Sequence, residues 1–221
     1  MRQTDHMELN LTADELLSTT RTVRKRLDFD RPVEREVIEE CLSLAVQAPT
    51  GSNRQEWQWI FITDEDIKLA LTDLYRENFA VYRKFAETVT YPDGDIRGER
   101  QPKVFDSAAY LAENFHRAPV LMVPCIAGQL DGAPAAMAAA AWGSLLPAVW
   151  SFMLAARERG LGTAWTTIHM LNGGDKTAAE ILGIPDTHTH AGLFPIAYTK
   201  GTDFKPGERL PLDTIIHWDR W

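Results

Sequence analysis

Apolar residues along the chain switch between helical and strand-like spacing, and the switches predict its elements. Thr12 followed by Glu15 forms a capping box that opens a short helix reaching about Thr20. Pro32-Val33 opens a second helix, with Val37, Ile38, Cys41, Leu42 and Ala45 at helical spacing, closed by Pro49. Residues 57–62, W-Q-W-I-F-I, read as a strand, and 64–88 as a helix capped by Asp64. Residues 89–103 are polar and carry Pro and Gly, which predicts a long loop of the kind that forms lids, with a helix over 104–116 beyond it. A-P-V-L-M-V-P-C-I-A at 118–127 reads as a buried strand. Gly160 or Gly162 stops a long apolar helix, and a strand runs on into W-T-T-I-H at 165–169. A short helix over 175–182 ends at Gly183 and Pro185, and A-G-L-F-P-I-A-Y-T at 191–199 is the last core strand. No internal repeat or low-complexity linker divides the chain.

The apolar helix needs a decision. Residues 132–156 carry no charge and are long enough to span a bilayer. Their first half is mostly Ala, Pro134, Gly143 and Pro147 interrupt them, and Arg157, Glu158 and Arg159 follow at once. A helix of a soluble protein, buried on most sides, is the expectation, and its small residues allow close approach of another helix, as at a subunit interface. The first ten residues have no apolar core, so no signal segment is expected there. The tail, 200–221, ends with Ile215, Ile216, Trp218 and Trp221; packing on a partner subunit would account for so much apolar surface at a terminus.

Composition narrows the function. The 221 residues are 45% hydrophobic and 24% charged, ordinary for a globular protein, and the net charge of −8 disfavours nucleic acid as a partner. Cys41 and Cys125 form no C-x-x-C pair and sit in apolar stretches, which predicts buried free thiols and a reducing, cytoplasmic setting.

Four short stretches carry candidate chemistry. R-T-V-R-K-R at 21–26 puts Arg21 and Lys25 on one side whether helical or extended, suited to a phosphate; a solvated basic patch at a helix end fits the same residues. A-P-T-G-S-N-R-Q-E-W at 48–57 joins a helix to a strand with more polar groups than a turn requires. Asn53 and Gln55 suit the edge of a heterocycle with Thr50 beside them, although a capped turn uses the same residue types. Thr166 and Thr167 sit at a predicted strand end, where a ligand or simple β-propensity explains them equally. Arg209, with Lys205 before it, offers a second cation for a phosphate or a plain surface charge. His188 and His190 form H-T-H without a further ligand at metal spacing and read as solvent-exposed; His116 and His169 read as isolated structural histidines. Dinucleotide, P-loop and hydrolase-elbow motifs are absent.

Together the stretches are more specific. T-T-R-T-V-R-K-R-L, then V-Q-A-P-T-G-S-N-R-Q-E-W, R-G-L-G-T-A-W-T-T, L-G-I-P, P-I-A-Y-T-K-G and E-R-L-P-L resemble, in order and spacing, the FMN-dependent nitroreductase family, and more narrowly its actinobacterial branch. The resemblance covers nearly the whole chain and is weakest over 64–118. It implies one α+β domain spanning 1–221, with a central mixed, mainly antiparallel sheet flanked by helices. It also implies an interlocked homodimer, with 200–221 extending onto the partner and FMN at each of two interfacial sites. Residue by residue, Arg21, Thr22, Val23 and Lys25 match the segment at the phosphate and ring edge. Pro49, Thr50, Asn53 and Gln55 match the loop contributed by the other subunit, Thr166 and Thr167 the strand end beside the ring, and Arg209 the C-terminal cation on the phosphate. The implied activity is ping-pong transfer of hydride from NAD(P)H to a nitroaromatic, a quinone or a related small acceptor, with the flavin, not a side chain, as the catalytic group. Relatives of the same fold dehalogenate, dehydrogenate or fragment flavin, and sequestering FMN is a further alternative. Two departures stand out: Glu56 replaces the usual Pro of N-x-Q-P-W, and Thr22-Val23 replace the usual Arg and Ser, so Val23 has only its backbone to offer.

Overall fold

The computed structural model describes residues 8–221; the reading of the N-terminus falls mainly on residues 1–7, outside them. Helices and strands follow one another in a single α+β unit. The helices are α1 (Ala13–Thr19), α2 (Arg35–Ala45), α3 (Glu65–Ala86), α4 (Ile96–Asn114), α5 (Ala135–Glu158) and α6 (Gly174–Leu182). The strands are β1 (Leu27–Asp28), β2 (Trp57–Ile62), β3 (Val120–Ala127), β4 (Leu161–Thr163), β5 (His188–His190) and β6 (Phe194–Thr199).

The sheet runs β1-β6-β3-β2, and all its ladders are antiparallel; the one parallel contact is an isolated bridge from Thr22 to Thr163. Ile196 of β6 pairs with both Val120 and Thr163, so β3 and β4 occupy its opposite edges. β2 pairs along its whole length with β3, from Trp57↔Ile126 to Ile62↔Leu121, and is a sheet edge. Burial explains the continuous apolar run of β3: Val120, Leu121, Met122 and Val123 are all at most 2% exposed, because apolar clusters cover both faces of the sheet. One cluster joins α3 and α4 through Leu71, Tyr75 and Leu111; the other joins α2 and α5 through Val37, Cys41, Val149 and Phe152.

Helix ends obey local chemistry. The Thr12–Glu15 capping box forms as expected, and Asp64 caps α3 by accepting from Ile67 N–H at 3.0 Å. Gly183 closes α6 at φ +64, a left-handed conformation that glycine adopts without strain. Both thiols are buried and free, and burial pushes Cys41 up to about 12 and Cys125 to about 11.

Three expectations need correction. The stretch 89–103 is not a long loop: Asp95 caps a helix already running at Ile96, and Pro102 lies inside it. W-T-T-I-H is not strand: β4 stops at Thr163, Thr166 makes a single bridge to Leu193, and Ile168–Gly173 is a 3-10 helix. α5 is also less buried than composition suggests. Only its C-terminal half enters the core, through Leu145, Ala148, Val149 and Phe152, while Met137 is 64% exposed in the alanine-rich half. It is the one helix among the described residues with the length and hydropathy to cross a membrane. Its buried half instead packs on α2 within the second apolar cluster.

Candidate functional site

Arg21 follows directly on Thr20, the residue that ends α1. The segment then lies against β4: Thr22 bridges Thr163, and Val23 N–H donates to Thr163 O at 2.8 Å. This use of the backbone is what a buried Val at 23 permits. A turn over Arg24–Arg26 follows, so Arg21 and Lys25 do not share one side as either regular spacing would require. Lys25 meets Asp106 of α4 at 2.5 Å, whereas Arg21 reaches the C-terminal segment and donates to Lys205 O at 2.8 Å.

Arg209 arrives at the same place. A Cβ built on Gly207 would lie 2.3 Å from Arg209 Nη1 and 3.2 Å from Arg21 Nη2, so the two guanidiniums converge on a spot that only glycine leaves open. Neither has a carboxylate partner among the described residues; Arg209 donates to Glu208 O at 3.0 Å. Arg21 is held below the usual arginine range, first by burial and then by the charges of Arg100 and Arg209. Arg100, on α4, is itself tied to Glu208 at 2.6 Å. Like charges gathered this way disfavour one another until an anion enters, and two forked guanidiniums suit phosphate oxygens.

Three residues beyond Thr163 the chain reaches Thr166, which is buried, with Oγ1 donating to Leu193 O at 2.6 Å. Its backbone is pinned as well: Leu193 N–H donates to Thr166 O at 2.9 Å, and a Cβ on Gly192 would come within 2.7 Å of that oxygen. Thr166 can therefore offer a ligand little beyond rigidity, while the exposed Thr167 keeps its hydroxyl free for one.

The loop from Pro49 to Gln55 stands apart. It packs on α5, with Gly51 N–H donating to Ser144 Oγ at 2.9 Å. Among the described residues, no hydrogen bond joins it to Arg21, Thr166 or Arg209. Ser52, Asn53 and Gln55 have φ of +52°, +54° and +52°, half of the described non-glycine residues with positive φ. Internal bonds hold this conformation: Gln55 N–H to Thr50 Oγ1 at 3.3 Å, and Gln55 Nε2 to Asn53 Oδ1 at 3.0 Å. Such strain is concentrated in an exposed polar loop, where a plain connector needs none of it. Glu56 helps to explain it. A proline there would press Gln55 toward extended backbone, and glutamate leaves it free to adopt φ +52°. Its carboxylate pairs with Arg54 at 2.6 Å.

Sequence reasoning missed Arg100, hidden in a stretch read as loop, and the strain of Ser52. It also misjudged two histidines. His190 is 4% exposed rather than solvated, and its Nε2 lies 3.2 Å from Nε2 of His169, so His169 is not isolated. The described residues contain no cluster that could hold a metal ion.

The antiparallel α+β sheet flanked by helices, with Arg21 and Arg209 drawn together over Gly207, defines the class of fold. The sequence pattern defining the nitroreductase family matches residues 17–198, and the chain belongs to that family. A relative from Archaeoglobus fulgidus, described as a candidate NADH dehydrogenase/NAD(P)H nitroreductase, is 25% identical over 209 residues, covering 94% of this chain and 97% of its own. Among solved structures, the FMN and NADPH-dependent nitroreductase NfnB from a Sphigopyxis strain superposes with a TM-score of 0.66 at 24% identity, covering 96% of this chain and all of its own. Iodotyrosine deiodinase bound to FMN and 3-iodo-L-tyrosine gives a TM-score of 0.69 at 21% identity, over 94% and 99% of the two chains. Both show a shared fold.

Proposed function

We propose that the chain is an FMN-dependent oxidoreductase that takes hydride from NAD(P)H and reduces nitroaromatic, quinone or related small acceptors, working as a homodimer. The observation that carries this reading is the convergence of Arg21 and Arg209 over Gly207 without a carboxylate. That donor set fits a phosphate monoester such as the terminal group of FMN. Thr22, Val23, Thr166 and Thr167 would line the ring edge: Val23 and Thr166, already bonded to Thr163 and Leu193, as rigid wall, and Thr167 with its free hydroxyl. Lys25, shared with Asp106, would supply positive charge near the pyrimidine side. Pro49, Thr50, Asn53 and Gln55 would reach the same flavin from the second subunit. Their separation from Arg21 within one chain supports that division, as do the exposed alanine-rich half of α5 and the exposed end of the tail, residues 211–221. Motif resemblance supports the actinobacterial affinity, and the two free, buried cysteines support a cytoplasmic location.

Bound flavin supplies hydride acceptance and donation; the protein orients it and tunes its charge. A second role for the protein is access. Phe79, Tyr91 and Phe105 line a cavity of about 720 Å³ between α3 and α4, which Asp106 also borders beside Lys25. Aromatic walls of this kind suit a planar acceptor. Donor and acceptor would take turns at one open site, a ping-pong order.

An anaerobic absorption spectrum of the purified protein, before and after NADPH and then NADH, tests the reading. A flavin spectrum that bleaches is expected. One that persists with both donors refutes the NAD(P)H step, and no flavin after FMN addition refutes the whole reading.

A further inference from the structure

Beyond Thr199, where β6 ends, the chain runs to Arg209 with neither helix nor strand to fix it. Yet Arg209 must arrive beside Arg21. Three arginines, two from the 21–26 segment and one from α5, each grip one carbonyl of this stretch. Arg26 Nε donates to Lys200 O at 2.9 Å, Arg157 Nη2 to Thr202 O at 3.0 Å, and Arg21 Nη1 to Lys205 O at 2.8 Å. Arg26 is tied further: Nη2 pairs with Asp203 at 2.6 Å, and its own carbonyl accepts Lys200 N–H at 2.8 Å. The guanidinium carbons of Arg26 and Arg157 also lie 4.2 and 5.0 Å from the centroid of the Phe204 ring, so one aromatic side chain is stacked on by two cations.

Arg157 is the unexpected member. It sits at the end of α5, is 5% exposed, and among the described residues its Nε and Nη1 have no hydrogen-bond partner. Besides Thr202 O, its one other partner among the described residues is Thr19 Oγ1, at 3.4 Å. A buried guanidinium this poorly satisfied is a costly way to fill space, and an apolar side chain of similar volume would pack there more cheaply. An apolar side chain could not hold the Thr202 carbonyl while stacking on Phe204. Gly201 belongs to the same arrangement. Its φ is +76°, and a Cβ there would meet Arg26 Nη2 at 2.7 Å, so the tight turn lets the backbone close onto the arginine.

We propose that Arg26 and Arg157 are positioning residues for the anion site: by clamping residues 200–205 they deliver Arg209 to Arg21. The inference rests on the reading of Arg21 and Arg209 as the grip on the FMN phosphate. Neither clamp residue touches the phosphate; each acts through the backbone it holds. Loosening the clamp therefore weakens recognition of the phosphate and leaves the grip on the flavin ring unchanged.

Riboflavin, the same ring system without the phosphate, separates the two effects. The full-length protein, freed of flavin, is titrated with FMN and with riboflavin while quenching of flavin fluorescence is followed. Arg209→Ala is expected to raise the Kd for FMN about 10-fold, as loss of one exposed charge-assisted contact does, with riboflavin unaffected. Arg26→Gln and Arg157→Gln are expected to reproduce that pattern, raising the FMN Kd about 3- to 10-fold. Adding Arg26→Gln to Arg209→Ala should cost nothing further, because both remove the same contact. The positioning role is overturned if the clamp variants keep the wild-type ratio of FMN to riboflavin affinity, or if they weaken both ligands equally. If Arg157→Gln does not fold, the partly exposed Arg26→Gln decides the matter alone. A wild-type protein with no preference for FMN over riboflavin overturns the phosphate reading itself, an outcome distinct from failure of the clamp variants.

Discussion

His169 and His190 meet Nε2 to Nε2 at 3.2 Å inside the protein, 1% and 4% exposed. Burial, and then the neighbouring His190, push His169 down to about 3; burial likewise lowers His190, opposed by Asp175. Both imidazoles are therefore neutral in the fold at neutral pH, while in the unfolded chain each binds a proton below about 6.5. Stability from the neutral pair is fully present above that pH and is lost as pH falls toward 3. Each proton that only the unfolded chain binds steepens this pH dependence. Urea titrations at fixed protein concentration from pH 7 to 4 should show this acid slope, and His190→Gln should reduce it by the share His190 carries while the part due to burial of His169 persists. Absence of the slope in the wild-type protein would mean the pair titrates normally.

Arg21→Ala should lower FMN affinity by about 10- to 100-fold, because it removes one of the two converging guanidiniums from a partly buried site. Flavin occupancy after purification, read from the ratio of flavin to protein absorbance, gives the first check. Full occupancy in the variant would exclude Arg21 from the phosphate site.

Much of the fold is legible in the sequence, and the failures have physical causes. Thr12, Asp64 and Gly183 announced helix ends because capping is local chemistry. β2 was read to the residue, since its apolar run is bounded by polar turns. The helix expected from 104 starts earlier, at Ile96: Pro and Gly make 89–103 read as loop, yet Asp95 caps a helix that runs through Pro102. Spacing pointed Arg21 and Lys25 the same way, but a turn at Arg24–Arg26 sends one to the C-terminal segment and the other to α4. The histidine pair joins residues far apart in sequence, and no periodicity signals such a contact.

The tail carries a prediction about assembly. Leu212, Ile215, Trp218 and Trp221 are 67%, 59%, 86% and 102% exposed in the single chain, too much apolar surface to leave in water at a terminus. If 212–221 packs on a second subunit, its deletion removes part of that interface. Sedimentation velocity should then find the truncated protein dissociating at concentrations where the full chain is dimeric. A full chain that sediments as a monomer would refute the subunit-exchange reading of the tail.

Gly207→Ala is the sharpest test of the anion site, because it changes no charge. The added methyl would fall 2.3 Å from Arg209 Nη1, too close for any contact, and 3.2 Å from Arg21 Nη2, a tight one. The exposed Arg209 is the more mobile of the two, whereas Arg21 is anchored to Lys205 O, so Arg209 should swing away. Fold stability should hardly change, since the site is at the surface and the φ of Gly207 lies outside the positive range. FMN affinity should fall about as far as in Arg209→Ala, and Arg209→Ala should add nothing to Gly207→Ala. Isothermal titration with FMN and thermal unfolding of the flavin-free protein measure the two quantities separately. A Gly207→Ala protein that binds FMN as tightly as wild type would show that the space over Gly207 is not where the phosphate sits.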